Sequence, residues 1–239
     1  MTIVAAMSFL RVRLDAKAEL LSSLAAFYSG TLELPLTRSD PGVVAVEVGE
    51  TTLEFRAGAG DPFYHSAFLV PGDRFAAARR WAADRIALLP DEDTGERVFD
   101  FEHWDAHALY FQDPAGSIGE LIAQRGVGES GTTGPFHPSE LLGFSEVGIV
   151  GDPPSLAEAL SRAFALEVWS GTVTEEKRLA FVGEKARTLI LARAGRPWLP
   201  TWRPAEAHPV EVVIAGRGEG EVRIETGGCV RGSARQKRV

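Results

Sequence analysis

Residues 106–124, AHALYFQDPAGSIGELIAQ, read as a strand, a tight turn and a second strand. Ala108, Tyr110 and Gln112 alternate with His107, Leu109 and Phe111, the period-two pattern of a half-buried strand. Asp113-Pro114-Ala115-Gly116 is a turn, because proline presets φ and glycine tolerates a positive one. In the second strand Glu120 stands among Ile118, Leu121 and Ile122. A carboxylate buried there without a partner is costly, so the sequence asks for a group to receive it.

Working outward, the same order of elements recurs. Residues 7–14 alternate as a strand, and from Lys17 onward Leu20, Leu21, Leu24, Phe27 and Tyr28 fall on one helical face. VVAVEVG (43–49) and TTLEFRA (51–57) are strands joined by a hairpin at Gly49-Glu50. In the second copy HSAFLVP (65–71) is the strand, residues 74–85 form a helix with Phe75, Ala78 and Ala82 on one side, and IALLP mirrors the earlier LELPL. Further strands follow over 98–124. The third copy has FSEVGIV (144–150), a helix opened by a Ser155/Glu158 capping box and striped by Leu156, Ala159, Leu160, Ala163 and Phe164, then RLAFVG (178–183) and ARTLILARA (186–194). A fourth is truncated, with strands VEVVIAG (210–216) and EVRIET (221–226) and no helix. The strand positions Phe9, His65 and Glu146 are spaced by 56 and 81 residues, which excludes a solenoid of fixed period. The fold class is α+β, built from tandem βαβββ modules. GVGESGTTGPFHPSE (126–140) has linker composition. It divides a first domain of two modules, 7–125, from a second, incomplete one, 141–226, and residues 227–239 form a basic tail expected to be disordered.

Composition sets outer limits. The chain has 239 residues, 45% hydrophobic and 24% charged, ordinary for a globular protein of one or two domains. Its single cysteine, Cys229, allows no internal disulfide and no cysteine-based metal cluster. No apolar run approaches the roughly 18 residues of a spanning helix, and a cytoplasmic protein without a membrane partner is expected. The formal charge is −8; without Arg231, Arg235, Lys237 and Arg238 of the tail, 21 basic residues face 33 acidic ones, a balance of −12 that disfavours nucleic acid.

With repeat and turn in hand, the chain resembles the vicinal-oxygen-chelate superfamily, which includes glyoxalase I, extradiol dioxygenases, fosfomycin-resistance proteins and bleomycin-binding proteins. The residues that carry the resemblance are AFYSGTLELPL (26–36), HSAFLVP (65–71) and above all YFQDPAGSIGELI (110–122), similar to that family's YF-x-DP-x-GN-x-x-E signature with Ser117 in place of the asparagine. The resemblance implies curved mixed sheets that form a cup, and a divalent metal held by the first and last strands of paired modules. Carried over residue by residue, it implies the metal ligands His65, Glu120 and Glu146. Module one departs from the pattern, with Phe9 or a neighbour at its first ligand position and Glu54 near the last. The implied cofactor is a divalent ion, with zinc, manganese, iron(II), nickel and magnesium not distinguished.

Strand alternation gives a separate test. His65 shares its face with Ala67 and Leu69, away from Phe68 and Val70, and Glu146 shares its face with Gly148, so small neighbours leave room for a ligand. Tyr110 points into the cup. His107 falls with Leu109 and Phe111 and reads as a core histidine. RPWLPTW (196–202) reads either as a loop pinned by Trp198 and Trp202 or as a lid whose Arg196 holds an anionic substrate. No Gly-x-Ser-x-Gly elbow or phosphate loop is present. The expected partner is a small-molecule substrate. The expected activity is of glyoxalase type, lyase or isomerase, with Glu120 as the catalytic carboxylate beside a polarised carbonyl (Glu146 the other candidate base) and Tyr110 orienting substrate. The alternative is a metal-free, drug-sequestering protein of the bleomycin-resistance type. A ring-cleaving dioxygenase fits less well, since it uses two histidines and one carboxylate. The truncated last module leaves open whether a cup closes within one chain or between the chains of a homodimer.

Overall fold

The alternating segments pair as strands throughout the computed structural model, which describes residues 6–175 and 178–234. The first module runs β1 (Ser8–Ala16), a helical stretch around α1 (Leu21–Ala25), then β2 (Leu36–Asp40), β3 (Val43–Val48) and β4 (Thr51–Ala57). The second is β5 (His65–Val70), α2 (Phe75–Ala83), β6 (Leu88–Leu89), β7 (Phe99–Phe101), β8 (Ala106–Gln112) and β9 (Ile118–Gln124). The third is β10 (Gly143–Val150), α3 (Pro153–Phe164), β11 (Glu167–Gly171), β12 (Ala180–Glu184) and β13 (Arg187–Ala192). A short ribbon, β14 (Pro197–Trp198) with β15 (Arg203–Pro204), precedes the truncated copy, β16 (Val210–Ala215), β17 (Gly220–Ile224) and β18 (Gly228–Ser233).

Each module closes by laying its first strand parallel to its last: β1 on β4, β5 on β9, β10 on β13 and β16 on β18. The modules join through those first strands, and this corrects the expected division into domains. β1 pairs antiparallel with β16, and β5 with β10. The first and fourth copies therefore share a seven-stranded sheet, β17-β18-β16-β1-β4-β3-β2, and the second and third share a nine-stranded one. A bare strand edge must be paired or covered, and each first strand meets this by crossing the 126–140 boundary. That segment is irregular but tied down: Arg74, 4% exposed, donates to Glu140 at 2.6 Å and to the carbonyls of Thr132, Gly134 and Pro135.

One apolar core serves both sheets. Tyr28 packs on Phe55 of the first sheet and Phe68 of the second, with ring centroids 5.1 and 6.4 Å apart, and Phe68 packs on Phe144 at 5.0 Å. Burying side chains of this size contributes about 1.5–3 kcal/mol each, and splitting the chain at 126–140 would expose them.

Two local expectations also change. The expected disordered tail begins instead as β18, which pairs with both β16 and β17, while residues 235–239 lie outside the described residues. The cap of α3 is Asp152, whose side chain accepts from the Ser155 N–H at 3.2 Å. Pro153 and Pro154 suit the first helical turn and lack the N–H that a cap would satisfy, so the helix starts before the Ser155/Glu158 pair. Among the described residues no helix is long and apolar enough to cross a membrane.

Candidate metal centre

The turn at 113–116 is built as its residues require. Gly116 has φ 80°, and the Asp113 carboxylate accepts from the N–H groups of Ala115 and Ser117 at 2.9 Å and from the Tyr28 hydroxyl at 3.0 Å. Burial raises the Asp113 carboxyl to about 6 against the pull of those donors. The turn sets the register of β8 on β9, and with it two rows of side chains across the concave face of the nine-stranded sheet. One row runs Tyr110, Glu120, Ala67, Glu146 and Thr188 over β8, β9, β5, β10 and β13. The next contains Ile118, His65 and Ile190.

His65, Glu120 and Glu146 are thereby gathered around Ala67. All three are buried, and one ligand atom from each lies within 4.8 Å of the others. His65 Nδ1 lies 3.3 Å from the Ile118 carbonyl, which fixes a donor there and turns Nε2 toward Glu120 Oε2 at 3.5 Å. A ligating histidine is oriented in this way, its far nitrogen donating to a backbone carbonyl. Burial, followed by the positive charge of Arg196, lowers the imidazole to about 4 and keeps it neutral. Burial raises Glu146 to about 8, and burial plus the neighbouring Glu146 raises Glu120. Tyr110 hydrogen-bonds to Glu120 and is itself raised, by burial first and then by the two carboxylates. Three acceptors facing one another in a desolvated pocket call for protons or a cation. One imidazole and two carboxylates form a mixed oxygen-nitrogen donor set that fits a divalent metal. Thr188, the register neighbour of Glu146, adds a buried hydroxyl without a hydrogen-bond partner.

A cavity of about 70 Å³ lies against the three groups, room for an ion with one or two waters. It opens into a groove of about 660 Å³ lined by Phe101, Trp104, Leu179, Phe181, Arg196 and Leu199. Trp104 stands edge-on to Phe181 at 4.5 Å, and Phe99 edge-on to Tyr110 at 4.9 Å. Phe101, Trp104 and Phe181 carry no local sequence signal of a site; Phe181 is reached only through its cross-strand partner Ile190 on β13.

Of the remaining candidates, Glu54 lies in the other sheet, bound to Arg13. His107 is outside the cluster but is no core residue: its side chain is 53% exposed, pairs with Asp100 and stacks on Phe75 at 5.4 Å. A strand face at the sheet margin is not covered merely because its neighbours are apolar. The room expected beside Gly148 is taken by Trp198, whose ring lies 3.2 Å from where a Cβ would stand. Trp198 is buried and Trp202 exposed, so a single tryptophan pins the ribbon, while Arg196 and Leu199 beside it form a wall of the groove. All of the clustered residues come from one chain, so this cup needs no second copy.

No protein-family model and no curated protein matches the chain. Solved structures do. A Bacillus subtilis protein whose name proposes a dioxygenase superposes with a TM-score of 0.57 at 15% identity, over 96% of this chain and 86% of that one. Glyoxalase I from Zea mays gives 0.53 at 13% identity, over 87% and 75%. A variant of the maize enzyme gives 0.54 at 11%, over 95% and 94%. At these identities the likeness is one of architecture, and the chain has the glyoxalase, or vicinal-oxygen-chelate, fold.

Proposed function

We propose that His65, Glu120 and Glu146 hold one divalent metal ion and that the cup around them is the active site of a small-molecule enzyme of glyoxalase type, a lyase or isomerase. The carrying observation is that a ring nitrogen of His65 and one oxygen from each of two buried carboxylates converge within 4.8 Å. A metal bound there supplies Lewis-acid polarisation of a substrate carbonyl. The protein's own groups do the rest. Glu146, a carboxylate beside the polarised carbonyl, is the group placed to take a proton from a carbon acid. Tyr110 bonds to Glu120 and fixes it, leaving Glu146 the freer of the two carboxyls. Phe101, Trp104 and Phe181 give the mouth of the cavity an apolar, aromatic lining. The set of one histidine and two carboxylates departs from the two histidines and one carboxylate of non-haem iron oxygenases, which favours proton transfer over ring cleavage.

A second reading has its own support. The aromatic walls of the 660 Å³ groove suit a flat apolar ligand, as a sequestering protein without metal would use them. Metal analysis of tag-free protein separates the two. About one ion per chain is expected, lost in His65→Ala. A wild-type protein that is empty and takes up no zinc, manganese, nickel or iron would overturn the enzyme reading.

A further inference from the structure

The two sheets repeat one pattern, and their registers superpose. In the nine-stranded sheet Ala67 of β5 is the partner of Glu120 on the parallel strand β9 and of Glu146 on the antiparallel strand β10. In the seven-stranded sheet Arg13 of β1 is the partner of Glu54 on the parallel strand β4 and of Glu211 on the antiparallel strand β16. Glu54 thus stands where Glu120 stands, Glu211 where Glu146 stands, and Arg13 where Ala67 stands. Two residues back along the first strand, Arg11 holds the place of His65.

The contacts follow the register. Arg13 donates from Nε to Glu54 and from Nη1 to Glu211 Oε2 at 2.8 Å, bridging both carboxylates. Arg56 holds the other oxygen of Glu211 at 3.1 Å and Asp15 at 2.8 Å. Arg11, a cationic residue at the register position of the imidazole, has its Nε buried without a hydrogen-bond partner. Two carboxylates that flank one strand, on one face and in register, repel unless a cation lies between them. One sheet supplies a guanidinium for this; the other has a methyl group and leaves the volume open.

We propose that Arg13 is a built-in cation in a twin of the His65 site: the seven-stranded sheet carries a second acidic pair of the same design, closed to divalent metal by the chain itself. This rests on the reading of the His65 cluster as a metal site. It follows that the wild-type chain takes one ion and not two, and that replacing Arg13 by the alanine of its counterpart, with a histidine at 11, opens the second site.

Equilibrium dialysis of the full chain against Mn(II) tests this with four proteins. Wild type is expected to bind one ion, His65→Ala none, Arg11→His/Arg13→Ala two, and the triple variant one. An Arg11→His/Arg13→Ala protein with native circular dichroism that binds no more than wild type overturns the twin. A wild type that binds none beside a double variant that binds one leaves the twin standing and removes the His65 reading. If the double variant folds poorly, thermal unfolding of Arg11→Ala/Arg13→Ala/His65→Ala, which removes both guanidiniums and keeps the acidic pair, gives the answer. A midpoint raised by millimolar Mn(II), with none in His65→Ala, supports the twin, and an unmoved midpoint overturns it.

Discussion

Glu146→Gln is expected to make the metal-free protein more stable at pH 8 and at the same time to abolish metal binding. In the unfolded chain this carboxyl titrates near 4.5, in the folded protein near 8. Between those values the folded state keeps a proton that the unfolded state releases, so each rising pH unit favours unfolding by about 1.4 kcal/mol. His65 works in the opposite sense. Its imidazole titrates at about 4 when folded against 6.5 when unfolded, so folding gains as pH rises from 4 to 6.5. The two slopes offset each other up to pH 6.5. Above it Glu146 acts without that counterweight and Glu120, also raised, acts in the same direction. The metal-free wild type should therefore lose about 2 kcal/mol or more between pH 6.5 and 8, measured by urea denaturation in chelator. The variant should lose less, and saturating metal should reverse the wild-type slope, because ligands must be deprotonated to bind. A metal-free wild type with flat stability over that range would contradict the account of the buried carboxyls.

Trp198→Ala is expected to have the largest effect on stability of any change in the β14–β15 ribbon, about 3–5 kcal/mol. The indole is 3% exposed, packs at a tilt against the His65 ring with centroids 5.1 Å apart and fills the space over Gly148. Its loss leaves a void beside the buried acids that water can enter. The midpoint of urea unfolding should fall with little change in slope. The pH-dependent decline above 6.5 should also shrink, as rehydration returns the carboxyls toward their ordinary range. A loss below about 1 kcal/mol would show that the ribbon is a surface loop and no wall of the site.

Much of this was legible in the residues, for reasons that also mark where legibility ends. Period-two alternation placed β5, β8 and β10 and the faces of His65, Tyr110 and Glu146, because alternation is local and the pleat enforces it. Pairing is not local. Nothing in the alternation of HSAFLV or GFSEVGIV states that β5 and β10 are neighbours, and a linker composition between them pointed to the opposite arrangement. The strand GCVRGS was hidden by its basic surroundings, which describe its solvent side and not its hydrogen bonds to β16. Trp198 over Gly148 and Arg13 between Glu54 and Glu211 were out of reach for the same reason: each is a side chain delivered from a distant segment into a gap that a local reading shows as empty.

The pairing of first with fourth and second with third modules has a consequence for how the chain comes off the ribosome. The inner pair, residues 65–192, is nested within the outer one like one parenthesis inside another. Phe9 meets its partner Ile214 across roughly 200 residues, so β1 emerges first and its β16 edge is satisfied last. Until then the outer sheet has an open flank of the kind that recruits other chains. The charged residues along β1, Arg11, Arg13 and Asp15, are of the kind that disfavours pairing of an open edge with other chains.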